Sequence, residues 1–339
     1  MSTEPTFSFS TTADEVATAF ATEIQGKNGA LSALVVFALQ LHPVLITGSS
    51  IGGIGFETAR VIAKHAKRVV ITGYNEERLK LAKDAIKKEV PNSDIHRLTL
   101  DLSSFASVRK AAELVNADPE PLHVLINNAA ASFVDFKLTE DGLETQLATD
   151  HVGPFLFTKL LAPKLLAAAT PTYTPRVVFV SSEGHWYGTG VDFDALTSPD
   201  SEKYVKINAY FQAKSANILT AIELSKRSKG KINSYSLHPG GIFTNIHQRQ
   251  DAIPVLQELG VLHPDGKPNA AMGQWKTIPQ GASSIVAAAF DPRLNDKPGA
   301  YLENSVVAND KVAAHSSDPA TAEKLWTVTE KLIGEKFVF

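Results

Sequence analysis

The chain has 339 residues, of which 44% are hydrophobic and 20% are charged, values typical of a globular protein with a sizeable core. Its formal net charge is −3, with lysine and arginine spread along the chain, so nothing indicates nucleic acid or an anionic membrane as a partner. The absence of cysteine excludes disulfides, thiolate metal sites and cysteine nucleophiles, and we expect a cytoplasmic protein.

The N-terminal region lacks the features of a secretory signal or a membrane anchor. Residues 1–10 are rich in serine and threonine and lack the basic-then-apolar order of a secretory signal. A helix with one apolar face is predicted over residues 12–24. The most apolar stretch, residues 30–39, is about half as long as the roughly 20 residues that a membrane-spanning helix needs. A buried or surface-lying segment is expected there, with attachment to a membrane surface as the alternative.

A glycine-rich turn, TGSSIGGIG at residues 47–55, joins the first predicted strand to a predicted helix. Gly48 suits the positive φ of a tight turn, and Gly52 and Gly53 carry no Cβ that would hold a pyrophosphate away. Gly55 lets the helix pack closely on the strand, and the N–H groups of the first helical turn can face an anion. The pattern indicates a dinucleotide site, although a merely tight turn would look the same in isolation.

Strands and helices alternate along the rest of the chain. Strands are predicted over residues 44–46, 68–72, 95–100, 124–126, 177–180, 232–237 and 300–302. Helices are predicted over residues 56–63, 76–89, 103–115, 138–169, 207–227, 281–290 and 319–332, and a loose loop over residues 261–275. The alternation predicts an α/β fold with a Rossmann-type doubly wound parallel sheet in a single domain.

Polar side chains on the later elements are candidates for catalysis. Tyr210 and Lys214 lie four residues apart on a predicted helix and therefore project from the same face. An ammonium group beside a tyrosine favours the phenolate and brings a pKa of about 10 towards neutrality. Ser181 and Ser182 follow a buried strand, at the sheet edge where doubly wound folds bind ligands. A chance spacing on the helix and a serine cap after the strand are the alternatives.

Two other chemistries are disfavoured. No G-x-S-x-G elbow surrounds Ser182, which argues against a hydrolase nucleophile. His185, His238 and His247 lack the spacing of a metal site, so no metal is predicted and these histidines are expected on the surface or in loops.

The motifs in combination resemble the short-chain dehydrogenases/reductases over roughly residues 44–302. In chain order they are the turn at 47–55, Asp101-Leu102, Asn127-Asn128-Ala129, Ser182, Tyr210-x-x-x-Lys214, and Pro239-Gly240 with Thr244. Within the family the chain is most similar to the retinol-dehydrogenase-like and WW-domain-oxidoreductase-like branch. The stretches ETQLATDHVGPFLFT, VVFVSSEGHWYG, AYFQAKSANILTAIELSKR and SYSLHPGGIFTNI carry that similarity.

The resemblance implies a role for each matching residue. Tyr210 would be the acid/base, Lys214 would lower the tyrosine pKa and hold the nicotinamide ribose, and Ser182 would orient the substrate carbonyl. Asp101 would meet the adenine, Asn127 would support the cofactor cleft, and the threonine after Pro-Gly would reach the nicotinamide. The residues implied to bind the cofactor are Gly48, Ser50, Gly52, Gly53, Ile54, Gly55, Asp101, Asn127, Tyr210, Lys214, Pro239 and Thr244. A hydride would pass between the nicotinamide and an alcohol or carbonyl carbon.

Three departures from the family pattern stand out. The glycine motif is one residue longer than TGxxxGIG, because Gly52 is followed by a second glycine, and a slightly wider loop with its function kept is expected. Ala130 replaces the glycine that usually ends NNAG. Asp150 stands where the family usually has an asparagine that holds a water of the proton relay. An aspartate could still hold that water, but its charge could pair with Lys214 and compete for it, and we expect an active enzyme with an altered pH profile.

The end of the second predicted strand bears on the choice of dinucleotide. An acidic residue there usually binds the ribose 2′-OH of NAD, but this chain has Gly73, Tyr74 and Asn75, and no carboxylate until Glu76. Arg78 is a candidate ligand for a 2′-phosphate, although the arginine that this branch often carries at the Tyr74 position is missing. NADP is therefore expected, with NAD as the alternative.

The leading hypothesis is an NAD(P)-dependent oxidoreductase acting on an alcohol or carbonyl compound. Phe133, Phe136, Trp186 and Tyr187 suggest a hydrophobic substrate, although such residues more often belong to the core. The alternative is a dinucleotide-binding regulatory or scaffold protein that has lost turnover, which Asp150 favours and the retained serine, tyrosine and lysine oppose. A small-molecule substrate is the expected partner, with no nucleic acid and no clear membrane anchor, and a homo-oligomer is left open.

The approach to the first strand is unusual for this family. A short lead such as residues 23–27 usually runs almost directly into that strand, so residues 28–43 look inserted. We expect residues 1–43 to be an N-terminal extension containing this insertion. Residues 44–339 would form the oxidoreductase domain, with a substrate loop at about residues 243–280. A transcript lacking the codons of 28–43 would support a gene-model error, whereas peptides from this segment in the native protein would exclude one.

Overall fold

An eight-stranded sheet forms the centre of the computed structural model, which describes residues 4–25 and 42–339. The strands are β1 Pro43–Ile46, β2 Arg68–Gly73, β3 Ile95–Thr99, β4 Val124–Asn127, β5 Arg176–Val180, β6 Asn233–His238, β7 Tyr301–Glu303 and β8 Val306–Val307. Their order is β3-β2-β1-β4-β5-β6-β7-β8, and the pairs from β3 to β7 are parallel while β8 runs antiparallel to β7. The predicted α/β fold with a doubly wound sheet is confirmed.

Helices cover both faces of the sheet. They are α1 Ala13–Ala19, α2 Ala21–Gln25, α3 Ile54–Ile62, α4 Glu76–Glu89, α5 Phe105–Ala117, α6 Thr145–Leu147, α7 Gly153–Leu166, α8 Phe193–Thr197, α9 Lys206–Ser228, α10 Ile253–Glu258, α11 Ile278–Phe290, α12 Ala314–Ser317 and α13 Pro319–Ile333. Val44 and Ile46 face the core under α1, α3 and α11, whereas Leu45 faces the core under α5, α7 and α9. This alternation explains why β1 is buried on both sides and reads as a continuous apolar run.

Two predicted helices differ from those observed. The helix predicted over 12–24 is interrupted at Phe20, which packs its ring 5.6 Å from that of Phe7, so α1 and α2 are separate. The long helix predicted over 138–169 begins only at α6, where the side chain of Glu144 accepts hydrogen bonds from two N–H groups of the first turn. A π-helical turn at Ala148–Val152 then joins α6 to α7. Glutamate is not among the usual capping residues, which is why the sequence did not indicate this start.

Some predictions fall outside the described residues. The structure does not describe residues 26–41. The apolar stretch at 30–39 and most of the segment predicted to be inserted, 28–43, lie there, so both stay predictions. None of the helices in residues 4–25 and 42–339 is long and apolar enough to cross a membrane.

Candidate active site

A cavity of about 1580 Å³ opens at the carboxyl edge of the sheet. Its walls are the glycine turn after β1, the segments that follow β2 to β6, the first half of α9 and the chain after Thr244. Doubly wound sheets bind their ligands at this edge, so the cavity lies where the topology favours a site.

The glycine turn adopts the geometry that its sequence predicts. Gly48 and Gly52 have φ values of +70° and +81°, in the left-handed region that favours glycine. A Cβ added at Gly48 would lie 2.6 Å from the Cα of Ala129, so the turn also requires glycine for close approach to the segment after β4. Gly53 precedes α3 and provides no side-chain cap, which leaves the first turn of that helix available to an anion.

The extra residue of the turn brings it against a distant segment. The side-chain amide of Asn245 donates a hydrogen bond to the carbonyl of Ile51 at 2.6 Å. A Cβ added at Gly52 would lie 2.6 Å from Asn245 Oδ1, so Gly52 faces Asn245 and does not line the cavity. Gly55 is not part of the cavity wall either, because it packs closely against Asn128. Of the predicted residues of the turn, Gly48, Ser50, Gly53 and Ile54 line the cavity.

The asparagine that lines the cavity after β4 is Asn128 and not Asn127. Asn127 Nδ2 donates a hydrogen bond to Thr158 Oγ1 at 3.1 Å, and neither residue lines the cavity. Asn128 Nδ2 donates to the carbonyls of Thr47 and Gly48 at 2.8 and 3.1 Å, and Thr47 Oγ1 accepts from the Asn128 N–H at 2.9 Å. Asn128 and Thr47 thus fix the glycine turn to β4, a role that the sequence analysis did not assign.

One end of the cavity is formed by the segments that follow β2 and β3. Asp101 lines it, and its carboxylate accepts hydrogen bonds from the N–H and the hydroxyl of Ser103 at 2.9 and 2.6 Å. Gly73, Tyr74 and Arg78 also line this end. No residue of the described ranges forms a salt bridge with the Arg78 guanidinium, which leaves its charge available to a ligand.

Helix α9 carries Tyr210 and Lys214 on the face that lines the cavity, as their spacing predicts. The Lys214 ammonium lies 5.3 Å from the centre of the Tyr210 ring. The ring of Phe133 packs against the Tyr210 ring at a centroid distance of 4.8 Å. Phe133 has a φ of +61°, a strained value for an aromatic residue, and its N–H donates to Gln146 Oε1 at 2.7 Å. Phe133, which the sequence suggested for the substrate, thus contacts Tyr210 in a strained conformation that the sequence did not predict.

Asp150 pairs with Lys214, the contact that the sequence raised. Its Oδ2 lies 3.0 Å from Lys214 Nζ, its Oδ1 accepts from the Ala131 N–H at 2.6 Å, and both charged side chains are buried. Burial raises the pKa of Asp150, although the Lys214 ammonium and the Ala131 N–H act in the opposite direction. Burial by itself would lower the pKa of Lys214, but the Asp150 carboxylate and Tyr210 together outweigh it, so the pKa of Lys214 is raised.

Ser182 lines the cavity and also serves as a cap. Its Oγ accepts a hydrogen bond from the Gly184 N–H at 3.0 Å, at the start of the 3₁₀ turn Glu183–Trp186. His185 was expected on the surface or in a loop, and it lies in this turn but is buried. This turn folds the His185 ring beneath β7, 5.5 Å from the ring of Tyr301, where it is fully buried.

Apolar residues surround Tyr210 on the side of the chain after Thr244. Phe133 forms a cluster with Ala252, Leu256 and Leu262, and Tyr210 packs against it. Pro239, Thr244, Met272 and Trp275 also line the cavity, as does Tyr187. Two of the aromatic residues suggested for the substrate lie elsewhere. Phe136 packs 5.3 Å from Tyr204, and Trp186 lines a separate cavity of about 380 Å³.

Known proteins are similar to this chain in sequence or in architecture. A family described as short chain dehydrogenase matches residues 42–190. The Brassica napus protein "Short-chain dehydrogenase TIC 32 A, chloroplastic" is 36% identical over 296 residues, which cover 85% of this chain and 88% of the relative. The WW domain-containing oxidoreductase of Danio rerio is 36% identical over 319 residues, 92% of this chain and 73% of that protein. The solved structure of a 3-oxoacyl (acyl-carrier-protein) reductase from Agrobacterium tumefaciens C58, with NADP bound, is 20% identical and superposes with a TM-score of 0.56, covering 77% of this chain and 92% of that one.

Proposed function

The chain belongs to the short-chain dehydrogenase family of oxidoreductases, and from that premise we propose that it is an NADP-dependent enzyme that interconverts an alcohol and a carbonyl group on a hydrophobic small molecule. Its sequence is similar to the WW domain-containing oxidoreductase branch of the family. The observation that carries the proposal is that Ser182, Tyr210 and Lys214 line the same cavity as the glycine turn.

The residues of the cavity fit a dinucleotide. Gly48, Gly53 and the uncapped start of α3 line a cradle in which backbone N–H groups can meet a pyrophosphate. Its volume of about 1580 Å³ exceeds the roughly 300–1,000 Å³ of a pocket for one drug-sized ligand, so it has room for a dinucleotide and a substrate. When bound, the nicotinamide would supply or accept the hydride.

The end of the cavity beside β2 favours NADP over NAD. Gly73 and Tyr74 stand where a carboxylate would bind the ribose 2′-OH of NAD, and the Arg78 guanidinium offers a charge for a 2′-phosphate. The reductase from Agrobacterium tumefaciens with NADP bound agrees with this choice, and NAD stays the alternative.

The proposed roles of the polar side chains follow from their positions. Tyr210 would donate a proton to the carbonyl oxygen or accept one from the alcohol, with the Lys214 ammonium favouring the phenolate. Ser182 would donate a hydrogen bond to the same oxygen while its own Oγ accepts from the Gly184 N–H. The apolar cluster of Phe133, Leu256 and Leu262 would hold the rest of the substrate, which makes residues 243–280 the proposed substrate loop.

A second candidate function is supported by the buried pair of Asp150 and Lys214. If the carboxylate holds the ammonium too strongly, Lys214 cannot assist Tyr210, and the chain would bind a dinucleotide without turnover. Such a protein would act as a regulatory or scaffold protein.

One experiment separates the two candidates. Purified protein is mixed with ketones, aldehydes and alcohols in the presence of NADP, NADPH, NAD or NADH, and nicotinamide absorbance is followed. An enzyme should turn over at least one combination of substrate and cofactor. The Tyr210→Phe variant should lose that turnover while it binds NADPH as tightly as the wild type. Binding of NADPH without turnover of any pair would favour the second candidate and contradict the first.

A further inference from the structure

A buried lysine lines the proposed cofactor cavity, and residues 4–25 and 42–339 give its ammonium no hydrogen-bond partner. Lys276 lies just before the capping residue of α11, and its side chain is 4% exposed as part of the cavity wall. No residue of the described ranges accepts a hydrogen bond from its Nζ. Buried ammonium groups are normally paired, because an unpaired one loses its hydration without compensation. The described part of the chain therefore provides no group that compensates for the lost hydration of this ammonium by a hydrogen bond.

The backbone and a glycine fix the Lys276 side chain in place. The Lys276 N–H donates to the carbonyl of Gly241 at 2.8 Å, and the residue forms an isolated bridge with Ile242. A Cβ added at Gly240, whose φ is +100°, would lie 2.7 Å from Lys276 Cδ, so the aliphatic stem runs across this glycine. The ring of Phe9, another residue of the cavity wall, lies 5.0 Å from Nζ. The ammonium is thus held between Gly240 and Phe9.

The charged groups nearby do not neutralise this ammonium. Glu303 is the acidic group that acts on it, but the carboxylate of Glu303 accepts a hydrogen bond from Lys311 at 2.9 Å. His238 accepts the Glu183 N–H at its Nδ1, and burial lowers the pKa of this histidine to about 3, so its ring is neutral at pH 7. Burial lowers the pKa of Lys276, with Glu303 acting in the opposite direction. A ligand with a negative charge would compensate for this burial.

We propose that Lys276 binds an anionic oxygen of a ligand in this cavity, either a phosphoryl oxygen of the dinucleotide or a carboxylate of the substrate. This inference rests on the proposed function, because it assumes that the cavity holds a dinucleotide and a substrate. The anion would reach Nζ from the side of Phe9, whose ring covers the ammonium and would turn aside. A charge-assisted hydrogen bond would then replace a weaker contact with an aromatic ring.

The test compares Lys276→Met with a matched control. Lys267→Met makes the same change in the same loop, at a side chain that is 78% exposed. Binding of NADPH is measured by its fluorescence, binding of laurate and methyl laurate by calorimetry, and stability by thermal denaturation. Methionine keeps the apolar stem and removes an unpaired buried charge, so Lys276→Met without ligand should melt at a higher temperature than the wild type.

The two sources of the anion give different results. If Lys276 meets a phosphoryl group, Lys276→Met weakens NADPH binding by about tenfold or more and reduces the thermal stabilisation that NADPH provides. If Lys276 meets a carboxylate, Lys276→Met weakens the binding of laurate but not that of methyl laurate or NADPH. Dissociation constants for NADPH and laurate equal to those of the wild type and of Lys267→Met would overturn the inference. Failure of the wild type itself to bind NADPH would instead contradict the proposed function.

Discussion

Replacing Asp150 with asparagine would remove the carboxylate that holds Lys214 and restore the residue that the family usually has at this position. An amide oxygen can still accept a hydrogen bond from Lys214, although loss of the carboxylate should lower the pKa of this buried lysine. What changes is the charge near Tyr210. In the wild type the carboxylate offsets part of the effect by which the ammonium favours the phenolate.

The distances set the size of this effect. Lys214 Nζ lies 5.3 Å from the centre of the Tyr210 ring and 3.0 Å from Asp150 Oδ2, so the carboxylate is no more than about 8 Å from the ring. A negative charge at about 8 Å opposes ionisation by about 2 kcal/mol at an effective dielectric constant of about 20. That energy corresponds to about 1.5 pH units. Removing a negative charge favours the phenolate, so the rising limb of alcohol oxidation should move to lower pH by about one to two units.

The assay is the pH dependence of kcat/KM for alcohol oxidation by the wild type and Asp150→Asn. Asp135→Asn is the matched control, because Asp135 forms its salt bridge with Lys206 at a largely exposed position. Thermal denaturation of each variant checks that the fold is kept. The reasoning is refuted if the midpoint for Asp150→Asn equals those of the wild type and Asp135→Asn.

Three further predictions concern separate parts of the molecule. Ser182→Ala should lower kcat by about 100-fold or more while NADPH binding is kept, since the hydroxyl would contact the reacting oxygen; stopped-flow turnover beside fluorescence titration measures both, and an unchanged kcat would remove Ser182 from the mechanism. Gly48→Ala should lower the free energy of unfolding by about 1–3 kcal/mol and weaken NADPH binding, because the residue has a positive φ and its Cβ would meet Ala129; equal urea midpoints would contradict this. The stacked rings of His42 and His123, 4.3 Å apart, should make the protein acid-sensitive, since burial lowers their pKa values to about 4 and about 3. Their stabilising effect is complete above the unfolded pKa of about 6.5 and is lost as the pH falls below it, by up to about 1.4 kcal/mol per pH unit for each ring. The free energy of unfolding in urea should therefore differ less between pH 7 and pH 5 for His123→Phe than for the wild type. With one of the two rings removed, about half of their contribution to the dependence on pH should remain.

The sheet could be predicted because its evidence is local. Buried parallel strands are continuous apolar runs, and the helix over 76–89 was predicted with its observed bounds, at which the structure shows an Asn75 cap. Strand β8 was missed because two residues form no pattern. The break at Phe20 was missed; there the Phe20 ring contacts Phe7, a residue outside the predicted helix.

In the candidate site, too, residues with a local sequence signal were predicted, and roles that depend on distant contacts were not. Tyr210 and Lys214 share a helical turn, and the pairing of Asp150 with Lys214 was expected because both occupy motif positions. Phe133 is held in its strained conformation with its N–H bonded to Gln146, and the stem of Lys276 packs on Gly240, contacts that only the folded chain reveals. Residues whose role arises from such distant contacts carry no signal in one sequence.

The N-terminal arm, residues 4–12, has a practical consequence for anyone who trims this protein. The family match starts at residue 42, which invites a shortened version that begins there. The arm is attached to the rest of the fold, because Arg293 donates to the carbonyl of Pro5 at 2.8 Å and Gln280 donates to the carbonyl of Ser10 at 3.3 Å. A shortened version would keep every strand yet lose Phe9 and with it part of the cavity wall. Its crystals or its kinetics would then describe a wider cleft than the one that the whole chain forms.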